Sequence, residues 1–201
     1  YWPVLSWNSA TWSMTCTNAT TCYGGQIKRQ VLKTTDGGET WYTAARVGTD
    51  ALIANCLSDQ YPPEGIQRRY YGIAFANENY GWVVGSCGLL YRTVNAAQGW
   101  IAQNDGSISE ETQFRRVQAL SRWSAIAVGG VNPDPSDASQ VLNAVIYTGD
   151  DDDKDAKAMK WLPVAAPDTS ELHGLQAFSD VTFVADWSGN IWRWDGSLLP
   201  I

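Results

Sequence analysis

The sequence predicts an all-β chain of about four repeated units, each of four short strands, arranged in a ring. Three observations carry that prediction. The first is the stretch Thr34-Thr35-Asp36-Gly37-Gly38-Glu39-Thr40-Trp41. Here Asp36 can accept hydrogen bonds from its own turn, the glycines permit positive φ, and an indole opens the next strand. The second is recurrence: Thr93-Val94-Asn95-Ala96-Ala97-Gln98-Gly99-Trp100 keeps the leading Thr, replaces Asp by Asn95 and keeps Trp at the same distance, one blade-sized period downstream. The third is composition, with 11 Trp, 18 Gly and only 17% charged residues, which suits many short strands joined by tight turns.

Taken in order, residues 10–45 form the first unit. Thr11 to Cys16 alternates, Thr21-Cys22-Tyr23 follows a polar turn, and Val31 to Thr34 leads into the acidic turn. Asn18-Ala19-Thr20 spells a glycosylation sequon and reads as a turn. The second unit, 66–104, holds strand-like runs at Tyr71 to Ala76, Gly81 to Gly85, Leu89 to Thr93 and Trp100 to Ala102. The third, 115–165, has runs at Arg116 to Leu120, Ala125 to Gly129, Ala144 to Thr148 and Trp161 to Val164. Two exposed loops expand it, Val131 to Gln140 and the acidic run from Asp150.

The fourth unit, 174–201, offers Gly174 to Phe178, Val181 to Ala185 and Asn190 to Trp194, and then lacks a fourth strand. Trp2-Pro3-Val4-Leu5 matches what is missing, so the N-terminal strand, residues 1–5, is expected to complete the last blade and close the ring. The expectation is a small β-propeller forming one domain over residues 1–201, with Trp2, Trp41, Trp100 and Trp161 as equivalent outer-strand residues. Two chains sharing a larger ring, or N-terminal strand exchange in a homo-oligomer, are the alternatives.

The turn Thr34, Asp36, Gly38, Thr40, Trp41 resembles the Asp-box of bacterial neuraminidase repeats, and Asn95 with Trp100 marks a degraded copy. The wider pattern, Gly81-Trp82-Val83-Val84-Gly85 followed by Leu89-Leu90-Tyr91-Arg92-Thr93, resembles repeats of the photosystem II assembly (stability) factor family and related secreted bacterial proteins. The segment Cys16 to Tyr23 is similar to a paired-cysteine variant of exported members. The resemblance implies a β-propeller. It implies no activity, because such boxes recur in sialidases, glucanases, sorting receptors and assembly factors alike.

A net charge of -7 argues against nucleic acid, whose binding draws on clustered Lys and Arg. No apolar run reaches the ~20 residues of a membrane helix, and a chain opening on Tyr1-Trp2-Pro3 reads as processed or excised. The cysteines fall into two sets, Cys16 with Cys22 and Cys56 with Cys87. Two disulfides in an extracytoplasmic protein fit that number, and four buried free thiols in the cytoplasm are the alternative. The spacings and the single His offer no metal site. Asp150 to Asp153 with Asp155 could gather calcium, but the run lacks alternating spacing and reads as a solvated acidic loop, so no cofactor is expected.

Arg68, Arg69, Arg115 and Arg116 are placed just before the inner strands of units two and three, with His173 at the aligned place in unit four. Together they are candidates for a carboxylate-binding patch on one face of the ring, which the assembly-factor resemblance implies for protein tails. Catalytic pairing finds no motif. Glu64, Glu78, Glu110, Glu111, Glu171 and Asp180 lie in or beside loops with no fixed partner, and the chain is short for a sialidase. Trp7, Trp12, Trp123, Trp187, Trp192 and Trp194 are either packing between blades or platforms for sugar. The expectation is a non-catalytic, extracytoplasmic module that binds a protein partner, with glycan-binding or adhesion as the alternative and a glycoside hydrolase ranked behind both.

Overall fold

The computed structural model describes residues 11–26, 29–48, 70–131, 143–150, 159–164, 166, 169–178, 180–194 and 198–200. Among these residues there is no helix, and the strands form four antiparallel sheets of four strands each. Blade I contains β1 (Thr11–Cys16), β2 (Cys22–Gln26), β3 (Gln30–Thr34) and β4 (Tyr42–Arg46). Blade II contains β5 (Tyr70–Phe75), β6 (Gly81–Gly85), β7 (Leu90–Thr93) and β8 (Ile101–Ala102). Blade III contains β9 (Thr112–Ala119), β10 (Ser124–Val131), β11 (Asn143–Asp150) and β12 (Lys160–Val164), and blade IV contains β13 (Leu172–Ala177), β14 (Thr182–Asp186), β15 (Ile191–Trp194) and β16 (Leu198–Pro200). Every sheet is a simple meander, as short connections between antiparallel neighbours require.

One expectation needs correcting. The edge of β15 assigned to the N-terminal segment pairs instead with β16, Trp192 opposite Pro200 and Trp194 opposite Leu198. Leu198–Pro200 is short and ends in proline, which an outermost strand accommodates because one side needs no ladder bonds. Residues 1–5, including Trp2, lie outside the described residues.

The first strands of successive blades pack side by side, β1 on β5, β5 on β9 and β9 on β13, so they are the innermost. Apolar cores fill the gaps between sheets. Tyr23, Val31, Ile73 and Tyr91 join blades I and II; Trp82, Leu90, Phe114 and Ala127 join II and III; Ile126, Ile146, Leu172 and Val184 join III and IV. β6 is buried along its whole length because it is covered on both faces, whereas β14 alternates buried and half-buried residues.

The meander sends alternate turns to opposite ends of each blade. One end holds the β1–β2, β3–β4 and β5–β6 turns, tied by backbone and side-chain bonds. Gly37 N–H donates to Thr20 O at 2.9 Å, and Asn18 Nδ2 donates to Glu78 Oε1 at 2.6 Å. Asn18 Oδ1 accepts from the Thr20 and Thr21 amides, so the sequon is an Asx turn inside the Cys16–Cys22 disulfide loop.

At the same end, Asp36 accepts from the Thr34 hydroxyl, at 2.7 Å, and from both the amide and hydroxyl of Thr40. Gly37 and Gly38 take φ of 75° and 96°. The Asn95 turn repeats this network: Thr93 Oγ1 donates to Asn95 Oδ1 at 3.0 Å, and Gly99 N–H donates to Asn95 Oδ1 at 2.9 Å. There, however, Ala96 and Ala97 occupy the left-handed conformation, at φ of 60° and 68°. Of the expected outer tryptophans, Trp41 and Trp100 immediately precede β4 and β8, and Trp161 lies in β12 against Gly149.

Candidate functional site

The opposite end, where each inner strand begins, carries a repeated irregularity. Tyr70 pairs with Gly85 and Gly72 with Val84, which leaves Tyr71 as an extra residue in β5. Arg115 is extra in β9, between Phe114 opposite Gly129 and Arg116 opposite Val128. His173 is extra in β13, and Trp12 in β1, at the same step of their strands. A β-bulge removes one residue from the ladder and re-aims its side chain. The residues that precede these bulges on the inner strands of blades II, III and IV, Tyr70, Phe114 and Leu172, are buried and pin the strands from behind.

The bulged side chains meet around the rim. Arg115 lies 4.4 Å from the Tyr71 ring centroid, a stacked cation–π geometry. Its Nε donates to Glu171 Oε1 at 2.7 Å, and the other carboxylate oxygen of Glu171 lies 2.6 Å from His173 Nε2. The His173 ring contacts Trp187, whose own amide donates to the Glu171 carbonyl; Trp187 is 77% exposed. The result is a continuous row, Tyr71–Arg115–Glu171–His173–Trp187, along the starts of three inner strands. Glu171 is nearly buried and braced on both sides, so it orients Arg115 and His173. Chemically the row presents an aromatic platform at each end with a neutralised ionic centre between, a surface suited to an extended polar chain.

Beneath Trp187, Asp186 organises the turn. Burial pushes its carboxyl up, but hydrogen bonds from the Thr169 hydroxyl and from the side chain and amide of Asn190 outweigh this and hold it below the ordinary carboxylate range.

The candidates fall as follows. Arg115 and Arg116 lie within β9, because that strand begins at Thr112. Arg115 is engaged by Glu171, while Arg116 turns back to donate to the Arg115 carbonyl at 2.8 Å and reaches the Tyr71 carbonyl at 3.5 Å. His173 joins the row, and Arg68 and Arg69 lie outside the described residues. Tyr71, Glu171 and Trp187 complete it. The alignment of Tyr71 with Arg115 and His173 depends on counting from the bulge, which is a property of strand pairing. Trp192 and Trp194 pack into the core between blades III and IV, and Trp123 carries Arg122 over its ring and meets Tyr80 edge-on. Trp7, Glu64, Asp151 to Asp153, Asp155 and the loop from Asn132 to Gln140 lie outside the described residues.

Cys16 and Cys22 are joined at 2.05 Å, and Cys87 is also disulfide-bonded, to a partner outside the described residues; Cys56 is among those undescribed. A separate cleft of about 310 Å³, lined by Cys87, Leu89, Tyr91, Asn104 and Ile108, borders that disulfide on the outer side of blade II, away from the row. No group of metal-ligating side chains occurs among the described residues, and no helix among them is long and apolar enough to cross a membrane.

No protein-family model matches the chain, and no curated protein does. Solved structures match it throughout. YCF48 bound to D1 peptide is 16% identical, with a TM-score of 0.64 over 96% of this chain and 55% of that one. YCF48 from Cyanidioschyzon merolae gives 16%, 0.62, 98% and 57%. The GH74 xyloglucanase from Xanthomonas campestris gives 11%, 0.60, 94% and 29%. This likeness shows a β-propeller fold, and the chain spans little more than half the length of the first two structures it matches. A peptide-bound protein and a glycosidase share this fold, so chemistry must be read from the residues.

Proposed function

We propose that this chain is a non-catalytic, extracytoplasmic binding module that docks an extended protein segment along Tyr71, Arg115, His173 and Trp187. The observation that carries the reading is the bulge repeated at one step of every inner strand. It turns side chains out of the ladders and gathers those of blades II, III and IV on one rim. Peptide backbone would find donors in the Arg115 and Arg116 guanidinium groups, and an apolar side chain would find the face of Trp187. A structural neighbour recorded with a bound peptide, YCF48 with D1 peptide, supports a protein ligand. The disulfides support an oxidising compartment, where such bonds persist.

Glu171 lies between Arg115 and His173, so it stands in neither arrangement a glycosidase requires, a proton donor opposite a nucleophile or a base opposite water. The test is a peptide array probed with the native protein and with Trp187→Ala and Arg116→Glu. Binding that both substitutions weaken at least ~tenfold supports the reading. A second reading, glycan binding, rests on the exposure of Trp187 beside His173, a geometry that also suits stacking on a sugar ring. Glycan-array signal lost in Trp187→Ala, with no peptide bound, replaces the first reading by the second.

A further inference from the structure

Glu171 spends one carboxylate oxygen on Arg115 and the other on His173, yet both neighbours keep hydrogen-bonding capacity in hand. Arg115 commits only Nε to Glu171, and its two terminal nitrogens make no hydrogen bond among the described residues. His173 commits only Nε2, and Nδ1 has no partner among those residues. An ionised carboxylate only accepts, so Nε2 carries the hydrogen of the 2.6 Å bond and the tautomer of the neutral ring is fixed. Nδ1 is then a bare lone pair. The Arg115 and His173 side chains are 21% and 28% exposed, so solvent and ligand can reach them.

A single proton changes what this centre offers. With His173 neutral, Arg115 cancels Glu171, and Nδ1 repels an incoming carboxylate. With His173 protonated, both ring nitrogens donate, the centre carries one positive charge, and Nδ1–H can make a charge-assisted bond to an anion.

The surroundings leave that change uncancelled. Arg116, next in β9, adds a second positive charge while it donates to the Arg115 and Tyr71 carbonyls. Asp186 of β14 lies opposite Leu172, and its carboxylate is taken up by Thr169 and Asn190. β10, which also packs on β13, has no charged side chain, and Tyr71 and Trp187 bring uncharged rings. The chain holds one histidine and no free cysteine among the described residues, so His173 is the described side chain whose type titrates between pH ~5 and ~8.

We infer that His173 sets the charge of the ligand the row accepts, taking an acidic extended segment when protonated and a neutral one when not. This rests on the docking of a protein segment proposed above, and it adds the class of that segment and the condition under which it binds. A glutamate in the segment would find donors in the Arg115 terminal nitrogens and in His173 Nδ1–H, with a neighbouring apolar side chain on Trp187.

The test is an array of C-terminally amidated peptides of about ten residues, each made with Glu and with Gln at one central position and probed with the full chain at pH ~8 and ~5.5. Free glutamate side chains titrate near pH ~4.3, so the Glu peptides stay largely ionised throughout. They are expected to bind at least ~fivefold tighter at the lower pH, while their Gln counterparts do not. Nuclear magnetic resonance of the single imidazole should show the same midpoint as the change in binding, and saturating Glu peptide should move that midpoint upward, since the coupling is reciprocal. His173→Gln keeps a donor for Glu171 but takes up no proton, so it should abolish the pH dependence, with circular dichroism checking its fold. Glu and Gln peptides that respond alike, a pH dependence that survives in His173→Gln, or an imidazole midpoint unmoved by bound peptide overturns the inference and leaves peptide docking standing. No peptide bound at either pH overturns the docking reading, and the inference with it.

Discussion

Blades II and IV present the same kinds of side chain at the same register, and only one of them buries its set. Trp82 is wholly enclosed, and its indole Nε1 donates to Met159 Sδ at 3.0 Å, while Phe183 in the corresponding place is half-buried. The contrast separates what a blade specifies from what its neighbour supplies. The order of residue types and the bulge are set within each sheet and appear in both. Full burial, and most of the energy that comes with it, depends on the sheet next door.

The largest test of that contrast is truncation at the paired positions. Trp82→Ala should cost about 3–5 kcal/mol, whereas Phe183→Ala should cost ~1 kcal/mol or less, both read from denaturant unfolding midpoints. Equal costs would erase the distinction. Next comes the glycine pair. Gly72→Ala drives a methyl against the backbone of β9 and should destabilise by about 1–3 kcal/mol. Gly174→Ala should cost less, because only Ala185 of the same sheet must move.

Acid should distinguish the blades further. Blade II caps its β7–β8 turn with neutral Asn95 and blade I caps the equivalent β3–β4 turn with Asp36, while blade IV ties its β14–β15 turn, at the other end, with Asp186. Asp36 is held well below the usual carboxylate range by the Thr40 hydroxyl and amide and by the Thr34 hydroxyl. A folded-state value depressed below the unfolded one stabilises the fold at pH above ~4 and loses that contribution as pH falls through the folded value. Hydrogen exchange between pH 5 and 2 should therefore show amides of blades I and IV losing protection before those of blade II. Asp36→Asn should flatten the acid response of blade I. The smallest effect is expected at Ala96, whose positive φ strains a side chain that Gly37 lacks. Ala96→Gly should raise stability by up to ~1 kcal/mol by thermal or chemical melting, the relief of left-handed strain partly offset by a freer unfolded chain.

Much of this architecture was legible in the sequence because its causes are local. The run Tyr71 to Ala76 lies within one residue of β5, and Thr34 with Asp36 declares a turn through chemistry confined to seven residues. Recurrence of the pattern then gave the number of sheets. The misreadings involve distance along the chain. Leu198–Pro200 is too short and too proline-marked to look like a strand, yet β15 had an edge to fill. Arg115 looked like a residue before a strand because the bulge that displaces it exists only relative to β10. Glu171 carried no motif, and its role depends on two residues from different strands that close from either side. Residue type also cannot reveal that Ile191 is open to solvent while Leu90 is enclosed.

The bulges have a consequence for how such a molecule can change. Tyr71, Arg115 and His173 differ in size, charge and aromaticity, yet each strand resumes the same pairing one residue later. A residue outside the ladder is released from β-propensity and from the alternation that governs its neighbours, so these positions tolerate replacement while the sheets keep their registers. With Trp12 in β1 they are the four positions at which the inner strands leave the ladder. Randomising those four codons would change the residues carried at the bulges while leaving the blades as they are.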